Sequence, residues 1–362
     1  TTMTIMKIRG GDLDLVEYEF NAFCPGENLH TAGITPAHQP YPTGDTITAR
    51  APARIHLSVL DMNRFSPGTP GGGGLGFAIQ IYCEATVTCT DRDLIIDSPR
   101  NLLIQHLVAA FKTVTGYTGG FRITTRDHGR EHIGLGSTCT TATAVVTAMN
   151  HATGCPLTPE DIRMVIGHNY VEETEENGKV AFGFETGVGS AASIYGGMTI
   201  VGDRLVRIHN HPFAENKNVF ILIPKTHDEA DNAGLEEFTL LMNRARTLDY
   251  RDRELKAYLL LMDMIPALAR GNLRKMGDTM WEIEFRGSKR AEVQHHTFIL
   301  YSHMNALRHA GLEFVAMSSV GPSICIVTEK TADDLQPLLR PLGLEIAVQT
   351  KVDNTGITIT KT

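Results

Sequence analysis

Regular patterning begins near residue 47. Before it, turn residues recur too closely (Pro25-Gly26, Pro36, Pro40, Pro42, Gly44) for anything but irregular structure with short strands. Residues 46–60 alternate polar and apolar positions enough for strands, and 77–90 are β-branched and apolar in the way of a second strand pair. Between them 66–76 hold two prolines and six glycines, which predicts a loop. Ser98 and Pro99 then read as N-cap and first position of a helix reaching about residue 114 and stopped by Gly116. A strand is expected at 121–125 and a helix of small apolar residues at 138–150. Thr158-Pro159-Glu160-Asp161 caps another helix, read to about 173, because hydroxyl, proline and first-turn acids agree. The stretch 183–197 is glycine-dense, and 198–208 reads as a hairpin turning at Gly202-Asp203.

His209-Asn210-His211-Pro212 marks a boundary, dividing the chain into parts 1–212 and 213–362. The second part opens with a strand at 219–223. Helical patterns follow over 233–248, 252–270, 272–284 and 291–310, with 259–264 and Trp281 read as core. Strands at 314–317 and 324–328, a short helix at 332–340 and a strand at 345–351 complete an α+β pattern.

Of the 362 residues 42% are apolar and 20% charged, which excludes disorder and leaves enough chain for two domains. Apolar runs are too short for a membrane helix and the start lacks a signal-peptide pattern, so a cytoplasmic protein with no membrane partner is expected. The net charge of −8 argues against nucleic acid. Six cysteines without a C-x-x-C pair predict buried thiols, not a disulfide framework or a thiolate zinc site.

The sharpest chemical signal is Gly134-Leu135-Gly136-Ser137-Thr138 at the start of the small-residue helix. Glycines let a ligand approach the backbone, and the unpaired N–H groups and dipole of a helix start favour phosphate or pyrophosphate. The segment is neither a Walker A loop nor a dinucleotide fingerprint, and a glycine turn before a buried helix is the plainer reading. Arg54 and His56, two apart on a strand, share a face. They suit gripping a phosphate or an aromatic acid, or a solvated strand face. The densest basic run, 286–290, includes Lys289 and Arg290; it reads either as a phosphate contact or as a solvated charge run. His128 and His132 have helical metal-pair spacing but lie in a loop pattern, and His209 and His211 read as turn chemistry.

Three segments in order, 52–57 with Asp61-Met62-Asn63, then Gly134 to Ser137, then Met317-Ser318-Ser319-Val320-Gly321-Pro322-Ser323, resemble the signature segments of the GHMP superfamily of galacto-, homoserine, mevalonate and phosphomevalonate kinases. The match is closer to its non-kinase branch, the β-ribofuranosylaminobenzene 5′-phosphate synthases, which carry A-R-[IL]-H-[LF], a glycine loop like Gly72 to Phe77, and an M-S-S-x-G-P close. The kinases place an acid in an S-G-x-D segment; Gly189 stands at that point here, and Ser58-Val59 replaces their usual Gly-Glu. The resemblance implies a two-domain GHMP-kinase-like α+β fold with a left-handed crossover, a ferredoxin-like C-terminal domain, and a homodimer. It also implies a decarboxylating C-phosphoribosyltransferase that joins phosphoribosyl pyrophosphate to a small aromatic acid with Mg²⁺. The excess of Arg (22) over Lys (11) and the longer N-terminal stretch lean towards an amino-pyrazole acid, as in the similar C-glycosyltransferases of formycin and pyrazofurin biosynthesis. Under this resemblance Arg54, His56, Asp61, Asn63 and Glu185 are catalytic candidates, with Asp61 and Glu185 the Mg²⁺ candidates. Gly134, Gly136, Ser137, Thr138, Ser318, Ser319, Gly321, Lys289 and Arg290 are the phosphate candidates. An ATP-dependent kinase, a synthase acting on a hydroxy- or aminobenzoate, and a non-catalytic binding protein are the alternatives.

Overall fold

The computed structural model describes residues 6–8, 16–18, 20–129, 135–225, 235–319 and 321–362. Two long strands organise its first half. Ile47–Val59 pairs antiparallel with Gly74–Thr90 along nearly its whole length, as the alternation at 46–60 predicts. Part of the expected glycine loop is strand, since Gly74 and Gly76 lie in the ladder. The sheet continues through Met198–Val201 and Arg207–His211 on one side and Thr358–Lys361 on the other. Gly120–Arg126 pairs with the far end of Gly74–Thr90, and Leu94–Asp97 lies parallel to it.

Helix Ser137–Ala152 lies against this sheet and is buried from Cys139 to Asn150, so apolar and threonine side chains surround it on all faces. Its small residues are what permit that: Ala142, Val145 and Ala148 meet Ala49 and Ala85 of the strands and Leu107 and Phe111 of helix Asn101–Thr115 in one core.

The second sheet runs Phe314–Met317, Ile324–Thr328, Asn218–Pro224, Leu344–Lys351, all antiparallel. In chain order this is strand, helices, strand, strand, helix, strand, with the first strand central: the ferredoxin-like arrangement. The two sheets share a core in which Ile55, Leu57 and Phe77 of the first meet Val219, Phe314 and Val327 of the second. Phe213 bridges them, its ring centroid 4.9 Å from Phe77 and 5.6 Å from Phe314. Among the described residues no helix is long and apolar enough to cross a membrane.

Several elements depart from the sequence pattern for identifiable reasons. The helix expected from Ser98 starts at Asn101, because the Ser98 hydroxyl accepts from Arg100 N–H (3.1 Å) and from Thr125 Oγ1 (2.5 Å), fixing a turn ahead of the helix. Helix Pro159–His168, with the expected capping box, stops before 173. Asn169 there turns its amide to the His30 and Val165 carbonyls, and Val171–Glu173 pairs with Val180–Phe182 instead. The glycine-dense 183–197 contains helix Val188–Tyr195, with Gly187 and Gly196 at its two ends. The break expected between 248 and 252 is absent: Leu235–Leu259 is one helix, continued by a π turn at Leu260–Met264. Conversely 291–310 is two helices, Gly287–His295 and Ile299–His309, separated at Thr297. Leu261 and Met262, read as core, face outward at 65% and 55% exposure, since a helix cannot bury consecutive positions on one face. The six cysteines are unbridged, but Cys24 and Cys155 are exposed and Cys89 only half-buried.

Candidate active site

A cleft of about 630 Å³ opens where the three signature segments meet, lined by residues that include Arg54, Ser137, Thr138 and Ser319. Arg54 and His56 leave the strand Ile47–Val59 on one face, as their spacing requires. The Arg54 guanidinium lies over Gly136: a Cβ there would stand 2.6 Å from Cζ. Gly136 also has φ +68, so glycine is demanded twice, by the backbone and by the cation pressed against it. The third segment closes on the first. Ser319 donates its N–H to the His56 carbonyl (2.8 Å) and accepts from Lys289 Nζ on its own carbonyl (2.6 Å).

Gly136 is the N-cap of Ser137–Ala152 and provides no side-chain cap, so the first-turn amides have no side-chain acceptor. Arg100 lies beside them, donating to Ser137 Oγ (2.6 Å) and Thr138 Oγ1 (2.9 Å) while approaching Asp127 Oδ2 at 3.4 Å. Two guanidinium groups, two hydroxyls and a helix start thus border one cleft, a set suited to a multiply charged anion. Gly134 and His132 lie outside the described residues.

The charges behind the cleft are arranged around Arg54. His56 is held well below its usual range by burial, with the Arg54 and Lys289 charges adding to it, so its imidazole is neutral near pH 7. Glu185 is buried, and burial raises its carboxyl above the ordinary range against the opposing pull of the Gly187 N–H (2.6 Å), Arg54 and Arg163. Arg163, 1% exposed, holds the turn from behind by donating to the Gly187 (3.3 Å) and Leu205 (2.8 Å) carbonyls. At Gly189, where the resemblance places the kinases' acid, a Cβ would lie 2.6 Å from Cys139 Sγ and 3.8 Å from Arg54 Nε. Gly189→Asp is therefore expected to cost about 1–3 kcal/mol of stability by overpacking without creating ATP-dependent phosphorylation. A thermal melt and an ADP-release assay check both parts, and ADP formation would contradict the second.

Of the sequence candidates, the structure brings Arg54, Gly136, Ser137, Thr138 and Ser319 to the cleft wall. His56 and Lys289 stand against Ser319, and Glu185 stands behind Arg54. Ser318 is buried beneath, its N–H on the Ser323 carbonyl (2.8 Å). Gly321 packs against Met317 and His296. Arg290 points elsewhere, its charge felt by Tyr301. Asp61 and Asn63 bind each other: Asp61 Oδ1 accepts from the Asn63 amide and side chain (both 2.9 Å) and caps the turn Met62–Arg64. Arg253 stands 3.7 Å from Asp61 Oδ2. Among the described residues, no cluster of three His, Cys, Asp or Glu ligand atoms includes Asp61 or Glu185. With Arg54 and Arg163 beside Glu185, these residues do not form a Mg²⁺ cage by themselves. Arg100, Tyr170, Glu172 and Glu173 line the cleft and were not singled out from sequence. The last three fall within the overextended helix.

The family description "GHMP kinases N terminal domain" matches residues 101–197. The chain is 24% identical over 333 residues to a β-ribofuranosylphenol 5′-phosphate synthase of Archaeoglobus fulgidus, covering 86% of this chain and 98% of that one. It is also 24% identical over 316 residues to the protein of the same name from Methanothermobacter thermautotrophicus, covering 77% and 88%. Among solved structures, homoserine kinase from Cytophaga hutchinsonii superposes with a TM-score of 0.60 at 15% identity, over 88% of this chain and 98% of that one. Mevalonate diphosphate decarboxylase from Staphylococcus aureus gives 0.59 at 16%, over 87% and 98%; both likenesses concern the fold. Residues 101–197 thus match the GHMP kinase N-terminal domain, and most of the chain is similar to the β-ribofuranosylphenol 5′-phosphate synthases.

Proposed function

We propose that the protein is a decarboxylating C-phosphoribosyltransferase, joining the anomeric carbon of phosphoribosyl pyrophosphate to an amino-substituted aromatic acid, with a pyrazole carboxylic acid as the preferred ring. One observation carries this reading: Arg54 and Arg100 flank an uncapped helix start at the cleft wall. Such a set suits stabilisation of a departing polyanion.

In the proposed reaction the ring carbon bearing the carboxylate attacks C1, and the C1–O bond breaks with its electrons leaving on pyrophosphate. The ring–carboxylate bond then breaks as CO₂, returning its electrons to the ring, so no oxidant is required. Arg54, Arg100 and the first-turn amides receive the developing charge, the kind of preorganised electrostatics that supplies most of such a rate enhancement. Glu185, seated between Arg54 and Arg163 behind the wall, helps hold Arg54 in place. Neutral His56 stands behind the wall, its Nε2 3.4 Å from Thr186 Oγ1, and Tyr170 with Leu103 and Leu135 gives the ring a surface. Mg²⁺ is assigned to the pyrophosphate, whose oxygens provide the hard ligands that the protein does not assemble.

Mass spectrometry of a reaction containing Mg²⁺, phosphoribosyl pyrophosphate and a panel of amino-substituted benzoic and pyrazole acids tests the proposal. The expected product is heavier than one acid by ribosyl phosphate and lighter by CO₂, and the acid consumed identifies the ring. Product from a benzoic acid alone would keep the reaction and overturn the pyrazole assignment. No product, with phosphorylated acceptor when ATP is supplied, would replace the transferase by a kinase.

A further inference from the structure

The strand register creates a second constellation on the far side of Arg100. Gly120–Arg126 pairs with Gly74–Thr90 so that Arg126 stands opposite Glu84, which delivers Asp127 and His128 next to Cys83. Cys83 Sγ is 3.4 Å from Asp127 Oδ1, and His128 Nδ1 is 3.6 Å from the same oxygen. All three ligand atoms lie within 4.8 Å of one another. With Zn–S of about 2.3 Å and Zn–N or Zn–O of about 2.0 Å, tetrahedral geometry separates neighbouring ligand atoms by about 3.3–3.5 Å. The two spacings to Asp127 Oδ1, 3.4 and 3.6 Å, need little adjustment.

Burial supports the same conclusion. Cys83 is 1% exposed and the His128 side chain 3%. Asp127 is more open and, with His128, borders a cavity of about 370 Å³ that offers an entry path and space for water. A thiolate and a carboxylate balance a divalent charge, and sulfur with imidazole selects zinc over magnesium or calcium. We propose that Cys83, Asp127 and His128 bind Zn²⁺, with water as the fourth ligand. The absence of a C-x-x-C pair, which speaks against a thiolate zinc site in the sequence, does not apply, because two ligands come from the adjoining strand's exit.

The carboxylate also has a second face. Cys83 and His128 address Oδ1, while Arg100 approaches Oδ2 at 3.4 Å and reaches on to Ser137 and Thr138. An ion on Oδ1 would fix Asp127 and through it Arg100 over the cleft, making Asp127 a positioning residue. That consequence rests on the phosphate reading of the cleft, whereas zinc binding itself does not.

The full chain, stripped with a chelator and reloaded with Co²⁺, tests the site. A thiolate-to-cobalt charge-transfer band is expected in the native protein and should be lost in Cys83→Ser. In chelator competition, His128→Gln, which leaves Cys83 in place, should weaken Zn²⁺ by more than the ~10–100-fold typical of losing an outer partner. No charge-transfer band in the native protein, or Zn²⁺ affinity unchanged in a folded variant, would overturn the proposal. If Cys83→Ser fails to fold, His128→Gln decides. Neither readout uses turnover, so a failed transferase assay leaves the result intact.

Discussion

Arg54→Ala is expected to lower kcat/KM for C-ribosylation by about 10²–10³-fold, the loss typical of removing one preorganised donor from a charge-stabilising site. The guanidinium is pressed against Gly136 at the helix start, and its charge is felt by His56, Cys139, Tyr170 and Glu185. Arg54→Lys should recover only part of the loss, since an ammonium lacks the planar fork that meets two phosphate oxygens. The acid limb of the pH profile supplies a second readout. Burial depresses His56 most, and the Arg54 cation adds to it, so removing that cation lets the imidazole take a proton more readily and moves its titration upward. Initial rates at varied phosphoribosyl pyrophosphate check the first part, and near-native turnover would return Arg54 to a passive strand face.

The largest effect on stability is expected away from the cleft, at Asp249. Its carboxylate, 0% exposed, accepts from the Met62 N–H (2.8 Å), the Ser288 N–H and the Lys256 ammonium, itself 1% exposed. Burial pushes this carboxyl up, and Lys256 and the two amides pull it back. Asp249→Ala takes the paired carboxylate from a buried ammonium, which keeps the Val59 carbonyl (3.0 Å) and only the more distant charge of Glu292. Breaking such a pair by removing one member costs about 3–5 kcal/mol. The double change Asp249→Leu with Lys256→Met should regain much of it, because the desolvation of both charges disappears as well. Denaturant unfolding of the three proteins decides, and a single-variant loss below about 1 kcal/mol would mean that water or relaxation supplies the missing partner.

What the sequence revealed and what it hid follow from how far each inference reaches along the chain. Arg54, Ser137 and Ser319 belong to short ordered segments whose residue types carry the chemistry, and the cleft joins all three. Arg100 escaped because the pattern at Ser98-Pro99 claimed the helix start, although an arginine next to that start was visible. Lys289 and Arg290 were taken together, yet successive helical residues point about 100° apart, so only Lys289 reaches Ser319. Asp61 caps the turn that holds Asn63, and their polar atoms go to each other, to the Arg246 carbonyl and to Arg253. Cys83 and His128 are 45 positions apart in chain number and become neighbours only through strand register, which one sequence does not encode locally. The long helix Leu235–Leu259 similarly depends on distant partners: Asp249 and Asp252, weak helix formers, are accepted because Ser288 and Gly287 donate to them.

The strand Thr358–Lys361 completes the first sheet by pairing with Arg50 back to Ile47, after the chain has already built the entire second sheet. During synthesis, therefore, the outer edge of Ile47–Val59 waits for a neighbour until more than three hundred further residues have been made. The waiting edge belongs to the same strand that carries Arg54 and His56. An unpaired edge is a template for pairing with another chain, so through that interval the strand carrying Arg54 and His56 offers such a template.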